Sequence, residues 1–317
     1  MTLRPIFIAG CGRSGTTLLG ERLGHYPNTL VTPESQFKND LLSGNVTALE
    51  SWRLDLWGLP PEVVDAARDA LSGGSRQTRG TLGGSVAALE LLVASFARKV
   101  GNAGATRWID HTPSNARAAD ILVRSFPDAQ FVHLVRDVRG VAASVMRTDW
   151  SPLSLARLGA WWRDAIAFGQ ALERDYPDRT VRVRFEDLVQ NPGRCLAGLG
   201  AFLDLEAHTV SDKGQVFSVP AYSRSQHALV GSAPDANRAK GWIRELPLCV
   251  QSTLGSQHRH LLAQLGYEVI GTDPTLPRRL QANLWWLRVG VASRSRRRTA
   301  RRRDTAVEEA RSGARTI

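Results

Sequence analysis

The most constraining feature of this sequence is a strand, a glycine-rich turn and a helix that follow one another near the N-terminus. Pro5–Ala9 is a short apolar run typical of a buried strand, and Gly10–Gly15 forms a turn. Thr16–His25 then carries leucines at helical spacing. In this order the segments present backbone N–H groups and the positive end of a helix to an anion. The sequence therefore predicts a phosphate-binding loop of the P-loop type.

Further along the chain, apolar strand-like runs alternate with helical segments. Phe131–Val135 and Val181–Phe185 are predicted strands, and Leu153–Tyr176 is a predicted helix between them. Such alternation is typical of an α/β fold, with a parallel sheet covered by helices on both faces. Asp40–Val100 is predicted to add helical insertions. We expect one α/β domain over residues 1–277, with ligands bound beyond the carboxyl ends of the strands.

The cysteines and the lengths of the apolar segments indicate in which cellular compartment the protein is located. Cys11, Cys195 and Cys249 match no metal-site or disulfide spacing, so a reducing cytoplasm is the simplest interpretation. Met1–Ala9 lacks the apolar run of a signal peptide. No stretch reaches the roughly 20 apolar residues of a membrane-spanning helix. We therefore expect a cytoplasmic protein.

The glycine loop departs from the loop of nucleotide triphosphatases. Gly10 and Gly15 have the G-x-x-x-x-G spacing, but Thr16 stands where those proteins have the lysine that reaches the β- and γ-phosphates. The nearest cation is Arg13, and no apolar run ends in an aspartate placed to hold Mg²⁺. A phosphate-loop kinase or hydrolase remains an alternative, but the loop favours a phosphate-like group without metal.

The segment Arg13-Ser14-Gly15-Thr16-Thr17, after a first strand, resembles the 5′-phosphosulfate loop of sulfotransferases that use 3′-phosphoadenosine-5′-phosphosulfate (PAPS). Arginine at the cationic position resembles the bacterial, tyrosylprotein and carbohydrate-type branches of that family. The resemblance implies that PAPS is the co-substrate and that no metal is needed. It also implies that these five residues hold the phosphosulfate. Arg13 is then expected to stabilise charge on the bridging oxygen as the sulfuryl group leaves.

Two later segments resemble the part of the family that binds the 3′-phosphate of PAPS. Arg136 follows a predicted strand and Ser144 lies eight residues later, on the next helix. The alternative for Arg136 is an ordinary ion pair with Asp137. Further on, a basic-Gly-Trp segment resembles the one that closes over the same phosphate, and a solvated basic loop is the alternative there; its candidate residues are Arg238, Lys240 and Gly241.

Sulfuryl transfer needs a base that removes the acceptor's proton, and two residues compete for that role. Glu34 matches the position of the catalytic glutamate of tyrosylprotein-type members, and burial near the phosphosulfate is expected to raise its pKa. His111 directly follows a strand and matches the catalytic histidine of small-molecule members. The alternatives are a glutamate at a helix N-terminus and a histidine capping a helix. We favour Glu34 as the base.

The basic charge is concentrated in the C-terminal segment. Residues 278–317 carry 12 arginines and 3 acidic residues, and we expect a basic helix followed by a partly disordered tail. Apolar residues from Leu280 to Val291 lie beside this run, which suits peripheral contact with an anionic membrane. The alternative is a helix packed on the domain by its tryptophans. A non-enzymatic nucleic-acid-binding protein is a further alternative, but the body of the chain is nearly neutral.

The acceptor is left open by the sequence. The group that receives the sulfuryl is expected to be a hydroxyl or an amine. It could belong to a small molecule such as a phenol, to a sugar or to a lipid-linked substrate. Its pocket is expected from Asp40–Val100 and from the loop Pro220–Asn237.

Overall fold

A computed structural model describes residues 3–72, 82–206, 234–269 and 273–313 of the chain, with side chains described as far as residue 299. Most of the expected acceptor loop Pro220–Asn237 lies outside the described residues. The chain divides into two compact units. The first contains Met1–Val135 and Ala165–Ala236, and the second contains Arg136–Asp164 and Asn237–Ile317. The division predicted at residue 277 stays a prediction.

The first unit is built on a parallel sheet, and its described residues contain five strands in the order β2-β3-β1-β4-β5. The central strand β1 pairs with β3 on one side and with β4 on the other, with Ile6 opposite Ile109 and Ile8 opposite Val132. This confirms the predicted α/β fold. The strands are β1 (Arg4–Gly10), β2 (Thr29–Val31), β3 (Arg107–Asp110), β4 (Gln130–Val135) and β5 (Thr180–Arg184).

Helices cover both faces of this sheet because successive side chains of a strand point to opposite sides. Ile6 and Ile8 pack in a buried cluster with Leu19 of the first helix. Phe7 lies between them in sequence and packs in a second cluster. This cluster contains Trp57 and other side chains from the helices between β2 and β3. The buried residues of the first cluster are aliphatic, and those of the second are aliphatic and aromatic. Their burial supplies most of the favourable free energy of folding.

The described helices lie close to the predicted segments; the long predicted helix Leu153–Tyr176, for example, is observed as Leu155–Asp175. None of the described helices is both long enough and apolar enough to cross a membrane. In chain order the helices are α1 (Thr16–Leu23), α2 (Lys38–Leu42), α3 (Trp52–Asp55), α4 (Pro61–Ser72), α5 (Leu82–Lys99), α6 (Ala119–Ser125), α7 (Val138–Val145), α8 (Leu155–Asp175), α9 (Phe185–Gln190), α10 (Pro192–Phe202), α11 (Trp242–Glu245), α12 (Leu248–Gln257), α13 (Arg259–Gln264) and α14 (Leu276–Gly313).

Candidate functional site

The glycine loop joins β1 to α1 in a conformation that only a few residue types tolerate. Arg13 has φ of 70° and Gly15 has φ of 98°, so both lie in the left-handed region. A Cβ atom on Gly15 would also lie 2.6 Å from the ring of Phe185, which follows β5. Glycine is therefore required at position 15 both by its backbone angle and by the aromatic ring packed against it.

The loop offers donors to an anion. Thr16 and Thr17 are the first residues of α1, where backbone N–H groups have no partner within the helix. The hydroxyl of Ser14 is fully buried and has no hydrogen-bond partner among the described residues. Arg13 is half-buried beside it and brings a guanidinium group to the loop. This combination of donors suits an anion whose oxygens accept hydrogen bonds and carry negative charge.

A buried polar network lies at the carboxyl end of β3. The ammonium group of Lys38 lies 3.3 Å from Oδ1 of Asp110 and donates to Oδ1 of Asn115 over 2.6 Å. All three side chains are fully buried. The amide of Asn115 also donates to the carbonyl of Ile8 in β1 over 2.9 Å. The network therefore ties the segment after β2 to the ends of β3 and β1.

The same network fixes the backbone on which both candidate bases stand. Ser35 Oγ donates to Asp110, and the Ser35 N–H donates to Thr112 Oγ1 over 3.0 Å. The N–H of Thr112 in turn donates to Asp110 Oδ1 over 3.0 Å. Glu34 directly precedes Ser35, and His111 lies between Asp110 and Thr112. Both candidate bases are therefore neighbours, along the chain, of residues held by these hydrogen bonds.

The charge states in the network follow from burial and from the partners. Burial alone would raise the pKa of Asp110, but Lys38, the hydrogen bonds from Ser35 and Asn115, and nearby His111 outweigh it and lower this pKa to about 2. Burial lowers the pKa of Lys38, while Asp110 and Glu34 act in the opposite direction. Asp110 is therefore ionised at neutral pH, and its salt bridge with Lys38 is shielded from solvent.

The two candidate bases differ in burial. His111 is buried and packs against α1, since a Cβ atom on Gly20 would lie 3.1 Å from its ring. Glu34 is half-buried, and Gln36 donates to its carboxylate over 3.2 Å. The Glu34 side chain is therefore less buried than expected, because the segment after β2 leaves it partly exposed to solvent. Both residues remain candidates for the base.

In the second unit, Arg136 lies at the start of the segment that leads into α7. Its side chain is mostly buried and folds over Gly140, where a Cβ atom would lie 2.9 Å from Nε. Its backbone carbonyl accepts a hydrogen bond from Trp162 Nε1 over 2.8 Å. Glycine at position 140 therefore leaves the space that the guanidinium group occupies.

Asp137 and Arg139 organise the start of α7. Asp137 caps the helix by accepting from the N–H of Arg139 over 2.8 Å, and it forms an ion pair with the Arg139 guanidinium at 2.6 Å. Arg139 also stacks over the ring of Trp242, 4.0 Å from its centroid. This stacking brings together the segments around Arg136 and around Gly241, which are far apart in sequence.

The remaining candidates for the 3′-phosphate lie on these same elements. Ser144 is mostly buried on α7. Arg238 is half-buried, Lys240 is exposed and Gly241 is buried directly before α11. The second unit therefore contains five of the candidate residues: Arg136, Ser144, Arg238, Lys240 and Gly241. The first unit contains Arg13, Ser14, Gly15, Thr16, Thr17, Glu34 and His111.

The sequence did not identify the buried pair Lys38–Asp110 or the stacking of Arg139 on Trp242. A signal was available for one partner of the pair, because Asp110 directly precedes His111 at a strand end. Lys38 gave none, since it lies among mostly polar residues. A signal for the stacking was the tryptophan of the basic-Gly-Trp segment, which was interpreted only through its basic residues.

The chain is similar to known proteins over most of its length. Residues 5–209 match the Sulfotransferase family. Protein-tyrosine sulfotransferase 1 of Danio rerio is 26% identical over 86% of this chain and 75% of its own length. For protein-tyrosine sulfotransferase 2 of Gallus gallus the identity is 25%, over 85% of this chain and 71% of the relative.

Two solved structures share the fold. The sulfotransferase domain from the curacin biosynthetic pathway superposes with a TM-score of 0.60 at 19% identity, over 84% of this chain and 99% of that one. The sulfotransferase domain of the Synechococcus PCC 7002 olefin synthase gives a TM-score of 0.58 at 22% identity, over 84% and 96% of the two chains.

Proposed function

Because this chain belongs to the sulfotransferase family, and is therefore an enzyme that transfers a sulfuryl group, we propose that its donor is PAPS. The observation that carries this proposal is the loop after β1. It combines left-handed backbone at Arg13 and Gly15 with the buried hydroxyl of Ser14, which has no hydrogen-bond partner in the part of the chain that the structure describes. Neither the phosphate-loop kinase nor the nucleic-acid-binding protein is favoured by the family and the fold.

In this proposal the loop holds the 5′-phosphosulfate. The backbone N–H groups of Gly15, Thr16 and Thr17 and the hydroxyl of Ser14 donate to its oxygens. The Arg13 guanidinium lies against the oxygen that bridges phosphorus and sulfur. Negative charge grows on that oxygen as the S–O bond breaks, and a fixed cation lowers the energy of that transition state.

The proposed contacts to the 3′-phosphate lie around the start of α7 and directly before α11. Arg136 and Ser144 provide a guanidinium fork and a hydroxyl on consecutive elements. Arg238, Lys240 and Gly241 supply further donors, and their segment is supported by the stacking of Trp242 on Arg139.

The reaction moves one sulfuryl group and one proton. The acceptor oxygen forms a bond to sulfur while the bond between sulfur and the bridging oxygen breaks, and 3′-phosphoadenosine 5′-phosphate leaves. The acceptor proton passes to Glu34 in our preferred assignment, with His111 as the alternative base. The network around Lys38 and Asp110 restrains the backbone beside both residues, which limits the movement of either base.

We propose a phenolic hydroxyl, such as that of tyrosine, as the acceptor. Support comes from the two relatives named above, which are named as protein-tyrosine sulfotransferases. The cytoplasm is the proposed compartment. It is supported by Cys11, Cys195 and Cys249, all of which are free thiols.

Transfer of labelled sulfate tests the function. The full chain is incubated with PAPS labelled at sulfur and with a tyrosine peptide, simple phenols, sugars or amines. We expect a labelled sulfate ester of the phenolic acceptors and an equal amount of 3′-phosphoadenosine 5′-phosphate. Arg13→Met should abolish transfer and Arg13→Lys should retain part of it. Methionine and lysine adopt the left-handed backbone conformation of position 13 at the same cost in free energy. The difference in transfer rate between the two variants therefore reports the effect of the positive charge. Transfer of a phosphoryl group from ATP, without transfer of a sulfuryl group from PAPS, would overturn the proposal.

A further inference from the structure

Helix α14 is anchored on the second unit by one of its faces. Trp286 is fully buried, and its Nε1 donates to the carbonyl of Pro152 over 2.9 Å. Ser293 is also buried, and its hydroxyl donates to the carbonyl of Thr148 over 3.0 Å. Ala282 lies on the same side of the helix and is fully buried. These contacts fix which face of α14 points away from the unit.

The outward face carries a row of exposed aliphatic side chains. These residues, which we call the leucine stripe, are between 44% and 70% exposed: Leu276, Leu280, Leu284, Leu287 and Val291. They recur every three or four residues and therefore lie on one face of the helix. At about 1.5 Å per residue the stripe is roughly 22 Å long. A continuous apolar row of this kind on a protein surface marks an interaction site.

The leucine stripe is surrounded by positive charge. From Leu276 to Arg303 the chain has ten arginines and no acidic residue. At about 100° per residue, Arg294 and Arg298 continue the face of the stripe, while Arg279 and Arg288 border it on either side. All four of these arginines are exposed. The partner of this surface must therefore be both apolar and negatively charged.

An anionic lipid bilayer combines these two properties. Acyl chains accept the leucine side chains, and the anionic headgroups above them attract the bordering arginines. A nucleic acid would satisfy the arginines but offers nothing to an exposed aliphatic row. A second copy of α14 would cover the leucines, but a parallel pair brings Arg294 and Arg298 against their own copies. An antiparallel pair buries those arginines against leucines.

We infer that α14 binds the surface of an anionic membrane, with the leucine stripe inserted at the boundary between headgroups and acyl chains. This binding is separate from sulfuryl transfer, because the stripe contains none of the candidate site residues. It places the enzyme next to acceptors at the membrane surface, and it does so without a membrane-spanning segment.

Vesicle binding by the full chain tests this inference. Co-sedimentation is measured with vesicles of phosphatidylcholine alone and of phosphatidylcholine mixed with phosphatidylserine. The test variant carries Leu280→Gln, Leu284→Gln and Leu287→Gln. The matched control is Leu248→Gln, which changes a leucine that is 80% exposed on α12. Thermal unfolding checks that both variants are folded, which we expect because the changed side chains are exposed.

The chain should bind the anionic vesicles and not the neutral ones. The triple variant should bind about 100-fold more weakly, because three apolar side chains no longer leave water. The Leu248→Gln control should bind like the unchanged chain. If the triple variant binds anionic vesicles as tightly as the unchanged chain, the arginines alone account for binding and the inference is overturned. A dimer in sedimentation velocity that becomes a monomer in the triple variant would also overturn it, since the stripe would then join two copies of the chain.

Discussion

Lys38 and Asp110 form an ion pair of 3.3 Å between two fully buried side chains, one from the segment after β2 and the other from the end of β3. Each residue is four positions or fewer from a candidate base, since Glu34 precedes Lys38 and His111 follows Asp110. A buried charge is stable only with its partner. The pair therefore makes the position of both candidate bases depend on one interaction.

Replacing Lys38 with methionine should strongly destabilise the protein. The Asp110 carboxylate would stay buried without its cation, and the loss is expected to be about 3–5 kcal/mol of the free energy of unfolding. Urea denaturation measures it. Lys99→Met is the control, because Lys99 is exposed and its hydrogen bonds among the described residues go to the backbone carbonyls of Trp57 and Gly58. This change should cost about 1 kcal/mol or less. Similar losses in the two variants would contradict the importance of the pair.

Acid should destabilise the fold through Asp110. Its pKa is about 2 in the folded chain and about 3.9 when unfolded. Because this pKa is lower in the folded chain, the ionised Asp110 stabilises the fold at every pH above the pKa of the unfolded chain. This stabilisation is lost as the pH falls from about 4 to about 2. Unfolding free energies measured across this range should fall less steeply for Asp110→Asn. The free energy of unfolding of Asp110→Asn should still depend on pH in this range, because Glu173 also has a lowered pKa, about 2. Burial raises the pKa of Glu173, but its interactions with His133 and Arg182 outweigh this effect. An unchanged slope in Asp110→Asn would contradict the assignment.

The local part of this fold was predictable from sequence. The segment Pro5–Ala9 and the following glycine turn have a pattern set by neighbouring residues, and the structure has β1 and the loop at those positions. Phe131–Val135 was predictable for the same reason, because a short, mostly apolar run in an alternating chain is typical of a buried parallel strand.

The long-range part was not predictable. The network of Lys38, Asp110 and Asn115 exists because β3 pairs with both β1 and β2, and strand order is a tertiary property. Similarly, the sequence identified an apolar segment from Leu280 to Val291 but not its orientation. The tertiary contacts of Trp286 and Ser293 decide which side chains of this helix are buried and which are exposed.

The two candidate bases can be separated kinetically. If Glu34 accepts the proton, Glu34→Gln should lower kcat about 10²–10⁴-fold and leave the affinity for PAPS nearly unchanged. His111→Ala should then have a smaller effect on kcat. Gln36→Ala, which removes the hydrogen bond to Glu34, is a control that should change kcat little. A large loss in His111→Ala together with near-normal activity in Glu34→Gln would assign the base to His111.

The loop conformation predicts different costs for two glycine substitutions. Gly15 and Gly101 both have positive φ, but a Cβ atom on Gly101 meets nothing within 4 Å, whereas one on Gly15 meets Phe185. Gly101→Ala should therefore cost about 1 kcal/mol, the usual penalty for this backbone region. Gly15→Ala should cost clearly more and abolish PAPS binding. Thermal unfolding and calorimetry measure the two effects. Equal stability of the two variants would contradict the packing of Phe185 on the loop.

The most direct test of the account is calorimetric titration of the full chain with 3′-phosphoadenosine 5′-phosphate, with AMP and with ATP and Mg²⁺. The account predicts tight binding of the first ligand without added metal, and much weaker binding of the two ligands that lack a 3′-phosphate. Arg136→Ala should weaken binding of 3′-phosphoadenosine 5′-phosphate by about 1.5–3 kcal/mol, the contribution of a charge-assisted hydrogen bond. Binding of AMP should barely change in that variant, and the exposed Arg147→Ala should leave all three affinities unchanged. Equal affinity for AMP and 3′-phosphoadenosine 5′-phosphate, or tighter binding of ATP with Mg²⁺, would contradict the account.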